Sequence, residues 1–414
     1  MTGAQGDHSG KTSDSPGRVW GVSDMKYPAW RGLGGGRMIW VRGIERAMTV
    51  GVRGRLSMRR SLRLGLAIAV LAVSPPFAQA RTTLPMPQFR YDTQWLKLPP
   101  GLALGEITAV AVDRRDHLWL LHRPRTVKDR PPAEVAAPIV EFDPQGRYLR
   151  AFGGPATGYE WPDVEHTLAV TAEGHIWVSG NFRGPNGHGD DMLLEFRRDG
   201  RIVRQIGNRG ASTGNADRQN FRAAADVYVD NRAHELYVAD GYGNQRVIVL
   251  DARDGRYLRM WGAFGAPPPA EPPAVPAADP DGARSFNGVH GVEMSRDRLV
   301  YVSDRANQRI QLFTPAGKYI KQVAINRGLP SPLTASGITF SKDSKQKYLF
   351  VADWGNAMII VLDRRTLSVL GTIGRAGTAP GEFRGPHLID TDSKGTIYVA
   401  EVQGRRVQRL IPER

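Results

Sequence analysis

The sequence predicts an all-β fold, a six-bladed β-propeller, and three observations support this prediction. One unit returns along the chain: a run of strand-forming residues, a tight corner and a second apolar strand. Its copies lie at residues 235–250, 299–313, 348–362 and 397–410. Each unit can hold four short strands, as a propeller blade does. A single hairpin cannot bury both of its faces, so such units must stack on their neighbours.

Six units can be laid end to end along the chain. They begin near Ile107, His166, Ala225, His290, Ser336 and His387. The sixth unit stops at Leu410, one strand short of the others. We expect Phe89–Leu98 to supply the missing strand and close the ring, because an incomplete blade exposes unpaired backbone groups. Ala266–Asp281 is rich in Pro and Ala, which predicts a loop between blades rather than a linker between domains.

The composition is that of a soluble globular protein. Of the 414 residues, 41% are hydrophobic and 23% charged, which is enough to build a large core. The chain contains no cysteine, and this excludes disulfides, thiolate metal sites and a catalytic thiol. The formal net charge is +15, but the arginines are scattered along strand ends instead of clustering with aromatic residues. We therefore do not expect nucleic-acid binding.

The first 80 residues are predicted to lie outside the propeller. Residues 1–57 lack apolar periodicity, which indicates either a disordered extension or a start site assigned too far upstream. A basic stretch from Met58, the apolar run Leu64–Val73 and a small-residue site ending at Ala80 follow in the order typical of a signal peptide. The apolar run is too short to serve as a stable membrane anchor. We expect cleavage after Ala80 and a periplasmic or secreted propeller comprising residues 81–414.

Three histidines share one position in alternate units. His166, His290 and His387 occupy the same register in the first strands of units two, four and six, where the other units have Thr108, Ala225 and Ser336. In a six-bladed ring, alternate blades are about 120° apart and their inner strands face one channel. The three imidazoles would then meet on the axis as a three-histidine site with an open fourth position, the ligand set of catalytic zinc. The alternative is three unrelated core or surface histidines.

The corner sequence Asp-Gly-x-x-Asn-x-Arg between two strands resembles the NHL repeat. Together with the three histidines, it makes residues 89–410 resemble peptidyl-α-hydroxyglycine α-amidating lyase, a six-bladed zinc propeller. The resemblance implies that Arg123, in Leu120-Leu-His-Arg-Pro124, and Tyr242, in the corner 240–246, are catalytic. It implies a second substrate-side arginine at Arg305, in the corner 304–309. The structural alternatives are an aromatic residue packed on its own blade for Tyr242 and a strand-end ion pair for Arg305.

One departure from the family concerns calcium. The family has an acidic residue directly after its third zinc histidine, where it helps to hold a structural calcium ion, and this chain has Leu388 there. The other calcium contacts in the family are backbone carbonyls at positions matching Val110 and Leu168. A hard cation would lose its only charged ligand. The sequence therefore predicts that structural calcium is absent.

The function implied by the resemblance is that of an exported zinc-dependent lyase. It would cleave a small-molecule or peptide substrate, a peptidyl-α-hydroxyglycine-like carbinolamide, into an amide and glyoxylate. The substrate carboxylate would be held by arginine, whose planar guanidinium pairs bidentately with carboxylates. Zinc would act as a Lewis acid, and Tyr242 would take the hydroxyl proton.

Two alternatives remain open from the sequence. The first is a non-catalytic periplasmic NHL propeller that binds a ligand or a protein partner. The second is a calcium lactonase-type propeller, in which carboxylates and an Asn hold the metal; Asp226, Glu165 and Asn287 lie near the starts of inner strands. Metal content would separate the three hypotheses, because they predict zinc, no metal and calcium respectively.

Overall fold

The computed structural model describes residues 84–184, 189–270, 282–331 and 333–413. These residues form 26 strands and three short 3-10 helices at Pro124–Thr126, Pro132–Glu134 and Ala263–Gly265. No helix in the described ranges has the length and apolar character needed to cross a bilayer. The predicted extension 1–57, the predicted signal peptide 58–80 and most of the predicted loop Ala266–Asp281 lie outside the described residues.

Six four-stranded antiparallel sheets confirm the predicted six-bladed propeller. Strand β1 (Phe89–Asp92) precedes blade one in the chain. Blade one contains β2 (Glu106–Val112), β3 (Leu118–Arg123), β4 (Ile139–Phe142) and β5 (Tyr148–Phe152). Blade two contains β6 (Glu165–Val170), β7 (Ile176–Gly180), β8 (Leu193–Phe196) and β9 (Ile202–Ile206). Blade three contains β10 (Asp226–Asp230), β11 (Glu235–Asp240), β12 (Arg246–Asp251) and β13 (Tyr257–Trp261).

The remaining blades follow the same plan. Blade four contains β14 (Val289–Met294), β15 (Val300–Asp304), β16 (Arg309–Phe313) and β17 (Tyr319–Ala324). Blade five contains β18 (Ala335–Phe340), β19 (Tyr348–Asp353), β20 (Met358–Asp363) and β21 (Val369–Ile373). A short parallel pair, β22 (Arg375–Ala376) and β23 (Glu382–Phe383), precedes blade six, which contains β24 (Pro386–Thr391), β25 (Ile397–Glu401) and β26 (Arg406–Pro412).

The hydrophobic core is divided among the six seams between blades. Six buried apolar clusters occur in the described residues, and each draws its side chains mainly from two neighbouring blades. The two middle strands of a blade are buried on both faces, and they are accordingly rich in Val, Ile, Leu and aromatic residues. The inner strands β2, β6, β10, β14, β18 and β24 each contact the next one around a closed ring. These six strands line the central channel.

Strand β1 closes the ring as predicted, but it is shorter than expected. It pairs antiparallel with β26, from Phe89 opposite Pro412 to Asp92 opposite Arg409, and so supplies the outer strand of blade six. The predicted strand extended to Leu98. It ends at Asp92 because Trp95 is buried at the seam between blades six and one, and Lys97 bridges to Arg147 of blade one. The N-terminal segment therefore joins the last blade to the first.

The corner after the second strand of a blade explains the repeated sequence motif. In blade three, the buried Asp240 carboxylate accepts a hydrogen bond from Asn244 at 2.8 Å and pairs with Arg246 at 2.8 Å. In blade four, Asp304 pairs with Arg309 at 2.7 Å in the same arrangement. A buried charge needs such a partner and additional hydrogen bonds. The motif thus fixes the corners, which carry several of the predicted site residues.

Candidate functional site

The three predicted metal-binding histidines converge in the central channel. His166, His290 and His387 lie at the starts of β6, β14 and β24, and all three are buried. Their ring centroids are 4.7–5.1 Å apart. One potential ligand nitrogen from each ring lies within 4.8 Å of the other two. We refer to this end of the channel as the histidine end.

Backbone carbonyls of the next blade orient the rings. Nδ1 of His166 is 3.0 Å from the Ala225 oxygen, and Nδ1 of His387 is 2.6 Å from the Thr108 oxygen. The Ser336 backbone lies in the corresponding place beside His290, but Nδ1 of His290 makes no hydrogen bond. A carbonyl partner requires the proton on Nδ1, which leaves the Nε2 lone pair of that ring available. His166 and His387 are therefore held as neutral ligands aimed at the axis.

The protonation state of the histidines suits metal binding. Burial, followed by the charge of Arg305, lowers the pKa of His387 to about 3. Burial and neighbouring cationic groups place the pKa values of His166 and His290 well below the usual range. The Nε2 atoms of His290 and His387 are 3.2 Å apart. Ligands at 2.0–2.1 Å from a tetrahedral zinc lie about 3.3–3.4 Å apart, so this donor set fits zinc.

Tyr242 reaches the same point from blade three. Its hydroxyl oxygen is 2.8 Å from Nε2 of His166 and 3.0 Å from Nε2 of His290. Tyr242 follows β11, and a Cβ at Gly241 would clash with the Val289 backbone, so glycine permits this close approach to blade four. The alternative of a tyrosine packed only on its own blade does not describe this side chain. The phenol oxygen lies where a group bound beside the three histidines would be.

Arg123 is a buried cation held by the starts of the inner strands of blades one and two. Its Nε donates to the Glu165 backbone oxygen at 3.0 Å, and Nη1 forms a 2.9 Å ion pair with Glu106. Its charge contributes to the lowered pKa values of His166 and His387. These two contacts hold the guanidinium beside the histidine end and use part of its donor capacity. Arg123 therefore has fewer donors left for a ligand than a free arginine.

Arg305 is the less engaged of the two predicted substrate arginines. It is 9% exposed, its Nε is buried without a hydrogen bond, and its guanidinium lies 5.2 Å from the centre of the Trp354 ring. Within the described ranges it forms no ion pair, so the strand-end ion pair considered from the sequence is not observed. Its charge lowers the pKa of all three histidines. A buried, unpaired cation at this place is suited to receive an anion.

The carboxylates considered for a calcium lactonase-type site have other partners. Glu165 accepts from Arg125 at 2.6 Å and from the Trp161 indole at 3.0 Å. Asp226 accepts from Thr167 and from the Val292 amide, both at 3.1 Å. Asn287 is held at the corner of blade four through its backbone amide. The described residues do not present these three side chains as one ligand set.

A second cluster of potential metal ligands, which the sequence did not predict, is occupied by an arginine side chain. Asp113, His117 and Glu141 bring their ligand atoms within 4.8 Å of one another. Arg198 pairs with Asp113 at 2.6 Å, also pairs with Glu141, and stacks 5.1 Å from the Trp119 ring. The guanidinium occupies the position that a cation would take. We interpret this cluster as an ion-pair network between blades one and two.

The surroundings of Leu388 are apolar. Leu388 is 4% exposed and belongs to the same buried cluster as Ala109 and Leu168. This is the position at which the related lyases have a carboxylate for calcium. The residues present here do not fit a calcium ion, because the charged ligand is replaced by a packed hydrocarbon side chain.

Several contributors to the site could not be read from the residue pattern. Thr108 and Ala225 act through backbone carbonyls, which any residue type supplies. Trp354 supports Arg305 across a blade boundary, and Glu106 anchors Arg123. The positions 108, 225 and 336 were visible as the register-mates of the three histidines. That the carbonyls of these positions face the imidazoles becomes visible only when neighbouring inner strands are in contact.

The fold and the site define a class, the six-bladed propeller of NHL type with a three-histidine centre. No protein-family model matches the sequence. The chain is 26% identical over 335 residues to NHL repeat-containing protein 3 of Mus musculus, covering 79% of this chain and 85% of that protein. It is 23% identical over 337 residues to a probable peptidyl-alpha-hydroxyglycine alpha-amidating lyase of Caenorhabditis elegans, covering 78% and 87%. The protein is thus an NHL-repeat propeller that resembles this lyase.

Solved structures support the fold alone. A structural genomics protein of unknown function from Bacteroides thetaiotaomicron superimposes with a TM-score of 0.51 at 14% identity, covering 75% of this chain and 70% of that one. Identity at this level carries no information about substrate or reaction.

Proposed function

We propose that the protein is a zinc-dependent lyase that cleaves an N-acyl-α-hydroxyglycine, a carbinolamide, into an amide and glyoxylate. The observation that carries the proposal is the Tyr242 hydroxyl, which lies 2.8 and 3.0 Å from two of three converging histidine nitrogens. A purely structural histidine cluster does not need an acid–base group at its open position. The relationship to a probable lyase of Caenorhabditis elegans supports the same reaction class.

His166, His290 and His387 would hold the metal through Nε2. Bound zinc supplies Lewis acidity at the substrate hydroxyl oxygen. The Nδ1 contacts to Ala225 and Thr108 keep two of the rings in the tautomer that a metal ligand requires. Burial keeps the three imidazoles neutral, so that they need not lose a proton before binding metal.

The remaining residues bind the substrate and move its proton. Arg305, with its buried and unpaired Nε, receives the glycine carboxylate, and Arg123 adds a second positive charge beside it. Tyr242 accepts the hydroxyl proton of the carbinolamide. The electron pair left on oxygen forms the aldehyde C=O bond of glyoxylate while the C–N bond breaks. The proton then passes to the departing amide nitrogen, which restores the atom and charge balance.

Metal analysis of purified protein beginning at Arg81 tests the metal centre. We expect one zinc per chain in the wild type and loss of most of it in His290→Ala, with the fold retained because the inner strands are held by their ladders. His234→Asn is a matched control, since His234 is an exposed histidine far from the register of the three. Full zinc occupancy in His290→Ala would disprove the site.

Glyoxylate release from N-benzoyl-α-hydroxyglycine tests the reaction. Tyr242→Phe removes the proton acceptor and keeps the ring, so we expect zinc binding to persist while turnover falls by about 10²–10⁴-fold. Zinc binding without turnover of any α-hydroxyglycine substrate by the wild type would refute the lyase and favour a non-catalytic propeller that binds a ligand or protein partner. This second function is supported by the similarity to NHL repeat-containing protein 3, whose name states no reaction.

Export is part of the proposal. It is supported by the order of basic, apolar and small residues between Met58 and Ala80. N-terminal sequencing of protein from the native cell should find Arg81 as the first residue, in a periplasmic or secreted fraction. Recovery of a cytoplasmic protein that retains residues 58–80 would contradict this part of the proposal.

A further inference from the structure

Two arginines that the proposed mechanism does not use lie beside Tyr242. Arg183 lies in the corner after β7, and its Nη1 donates to the Tyr242 backbone oxygen at 2.6 Å. Arg222 precedes β10, and its backbone oxygen accepts a hydrogen bond from Gly243 at 2.8 Å. Gly243 is packed directly on the Arg222 side chain, because a Cβ at this glycine would clash with Cγ of Arg222. Both arginines therefore border the corner that carries the catalytic tyrosine.

The two guanidinium groups lie close enough for their charges to interact, with Arg183 exposed to solvent and Arg222 half-buried. Burial and then the charge of Arg222 lower the pKa of Arg183, and Asp191 offsets only part of this effect. Nε of Arg222 is buried without a hydrogen bond. Within the described part of the chain, neither Arg183 nor Arg222 forms an ion pair with a carboxylate. Some other arginines near the corners do, such as Arg125 with Glu165 at 2.6 Å.

An unpaired pair of like charges is unfavourable unless an anion neutralises it. A purely structural role explains the contact of Arg183 with the Tyr242 carbonyl, but it does not explain why Arg222 is placed next to that cation. A bound carboxylate would accept hydrogen bonds from both groups and remove the repulsion. The arrangement therefore indicates a binding site for a second anion, separate from Arg305.

The position of this pair identifies the part of the substrate that it meets. The Tyr242 hydroxyl marks the carbinol, while Arg183 contacts the backbone of the same tyrosine, one side-chain length away. Arg305 and Arg123, on blades four and one, are the receptors for the glycine carboxylate. Because the carbinol and the glycine carboxylate are already assigned, the acyl portion of the substrate must extend along Tyr242 toward blades two and three.

We propose that Arg183 and Arg222 bind a carboxylate on the acyl side of the substrate, so that the protein prefers dianionic N-acyl-α-hydroxyglycines. An acidic residue directly before the hydroxyglycine is the simplest member of this class. The assignment rests on the proposed function for the direction of the substrate. The binding preference itself can be measured without turnover.

Two unreactive ligands test the preference on the zinc-loaded protein. N-acetyl-Glu-Gly and N-acetyl-Gln-Gly lack the hydroxyl and differ by one charge at nearly equal size. Isothermal titration calorimetry at pH 7.5 should show that the Glu ligand binds about tenfold more tightly than the Gln ligand, as expected for a charge-assisted contact that is partly exposed. Equal affinity for the two ligands would overturn the assignment.

Single variants show which arginines cause the preference. In Arg183→Gln and in Arg222→Gln, we expect the preference to fall below about threefold, with little change for the Gln ligand. Arg405→Gln is the matched control, since Arg405 is exposed at the corner of blade six and contacts only the Thr126 backbone oxygen at 2.9 Å. It removes the same charge and should leave the preference intact. An equal loss for both ligands in Arg183→Gln would mean that Arg183 only positions Tyr242, which would also overturn the assignment.

Turnover of the hydroxylated Glu and Gln peptides separates this inference from the proposed function. Turnover of both peptides with equal kcat/KM would refute the second carboxylate site and leave the lyase standing. Preferential binding of the Glu ligand without turnover of either peptide would refute the lyase and leave the anion site standing.

Discussion

At the scale of single residues, Leu388 distinguishes this chain from the lyases that it resembles. A carboxylate at this position would have to pair with a cation, because the pocket around it is closed by apolar side chains. Leucine instead contributes hydrocarbon to the seam between blades one and two, beside Ala109 and Leu168. At this position the inner strands are therefore held by apolar packing.

The prediction at this position concerns calcium removal. Treating the protein with EGTA, which removes both calcium and zinc, and then restoring zinc alone should leave the melting temperature of the zinc-loaded protein unchanged, since Leu388 offers no charged ligand. Differential scanning calorimetry with zinc alone and with zinc plus excess calcium provides the measurement. A large fall in melting temperature that calcium alone reverses would show that another calcium site stabilises the propeller.

The positions of the site residues were predictable where a side chain carries the chemistry. His166, His290 and His387 followed from register, because alternate inner strands of a six-bladed ring must face one axis. Tyr242 and Arg305 followed from the resemblance of their corners to those of the lyase. What a linear pattern cannot supply is which side chains meet across blades. The stacking of Arg305 on Trp354 is an example, since it joins two blades 49 residues apart in sequence.

At the scale of elements, the corner motif is stabilised by a buried ion pair in blades three and four but not in blade five. Blades three and four bury a complete carboxylate–arginine pair, both partners being fully buried. Blade five has Met358 at the position of the arginine, and its Asp353 accepts instead from Asn326 at 2.7 Å and Asn356 at 3.0 Å. The same corner can thus be built with charged or neutral donors.

This difference predicts unequal costs for the same substitution. Asp304→Asn removes the carboxylate of a fully buried ion pair and should lower the free energy of unfolding by about 3–5 kcal/mol. Asp353→Asn removes a carboxylate whose hydrogen-bond partners are amides and should cost about 1 kcal/mol. Urea denaturation followed by tryptophan fluorescence gives both values. Equal costs would show that the motif acts through loop shape and not through charge pairing.

At the scale of the whole molecule, the seams are closed by carboxylates as well as by the apolar clusters. Asp390 accepts from the Val112 amide at 2.7 Å, and so links blade six to blade one. Asp226 accepts from the Val292 amide and links blade three to blade four. Glu293 lies close enough for mutual repulsion with both. The repeat in the sequence predicted six blades. It did not predict these hydrogen bonds between blades, because strands of different blades align only after the ring has closed.

These channel carboxylates predict a dependence of stability on pH. Burial, with a further contribution from Asp390, raises the pKa of Asp226 to about 7, while an unfolded chain has an Asp pKa of about 3.9. The folded state therefore binds an extra proton between about pH 4 and 7, and the contribution of Asp226 to stability falls as pH rises through that range. The melting temperature of Asp226→Asn minus that of the wild type should therefore be larger at pH 8 than at pH 5.

The measurement is a pair of thermal melts at each pH for the wild type, Asp226→Asn and a control. Asp254→Asn is the control because it makes the same change of charge at an exposed turn. Lys342, whose charge acts on Glu293, is present in all three proteins. If Asp226→Asn differs from the wild type by the same amount at both pH values, the carboxylate is already ionised in the folded ring at pH 5. The links between blades would then be charge-assisted hydrogen bonds, which the Val292 amide and Thr167 stabilise strongly enough to overcome burial.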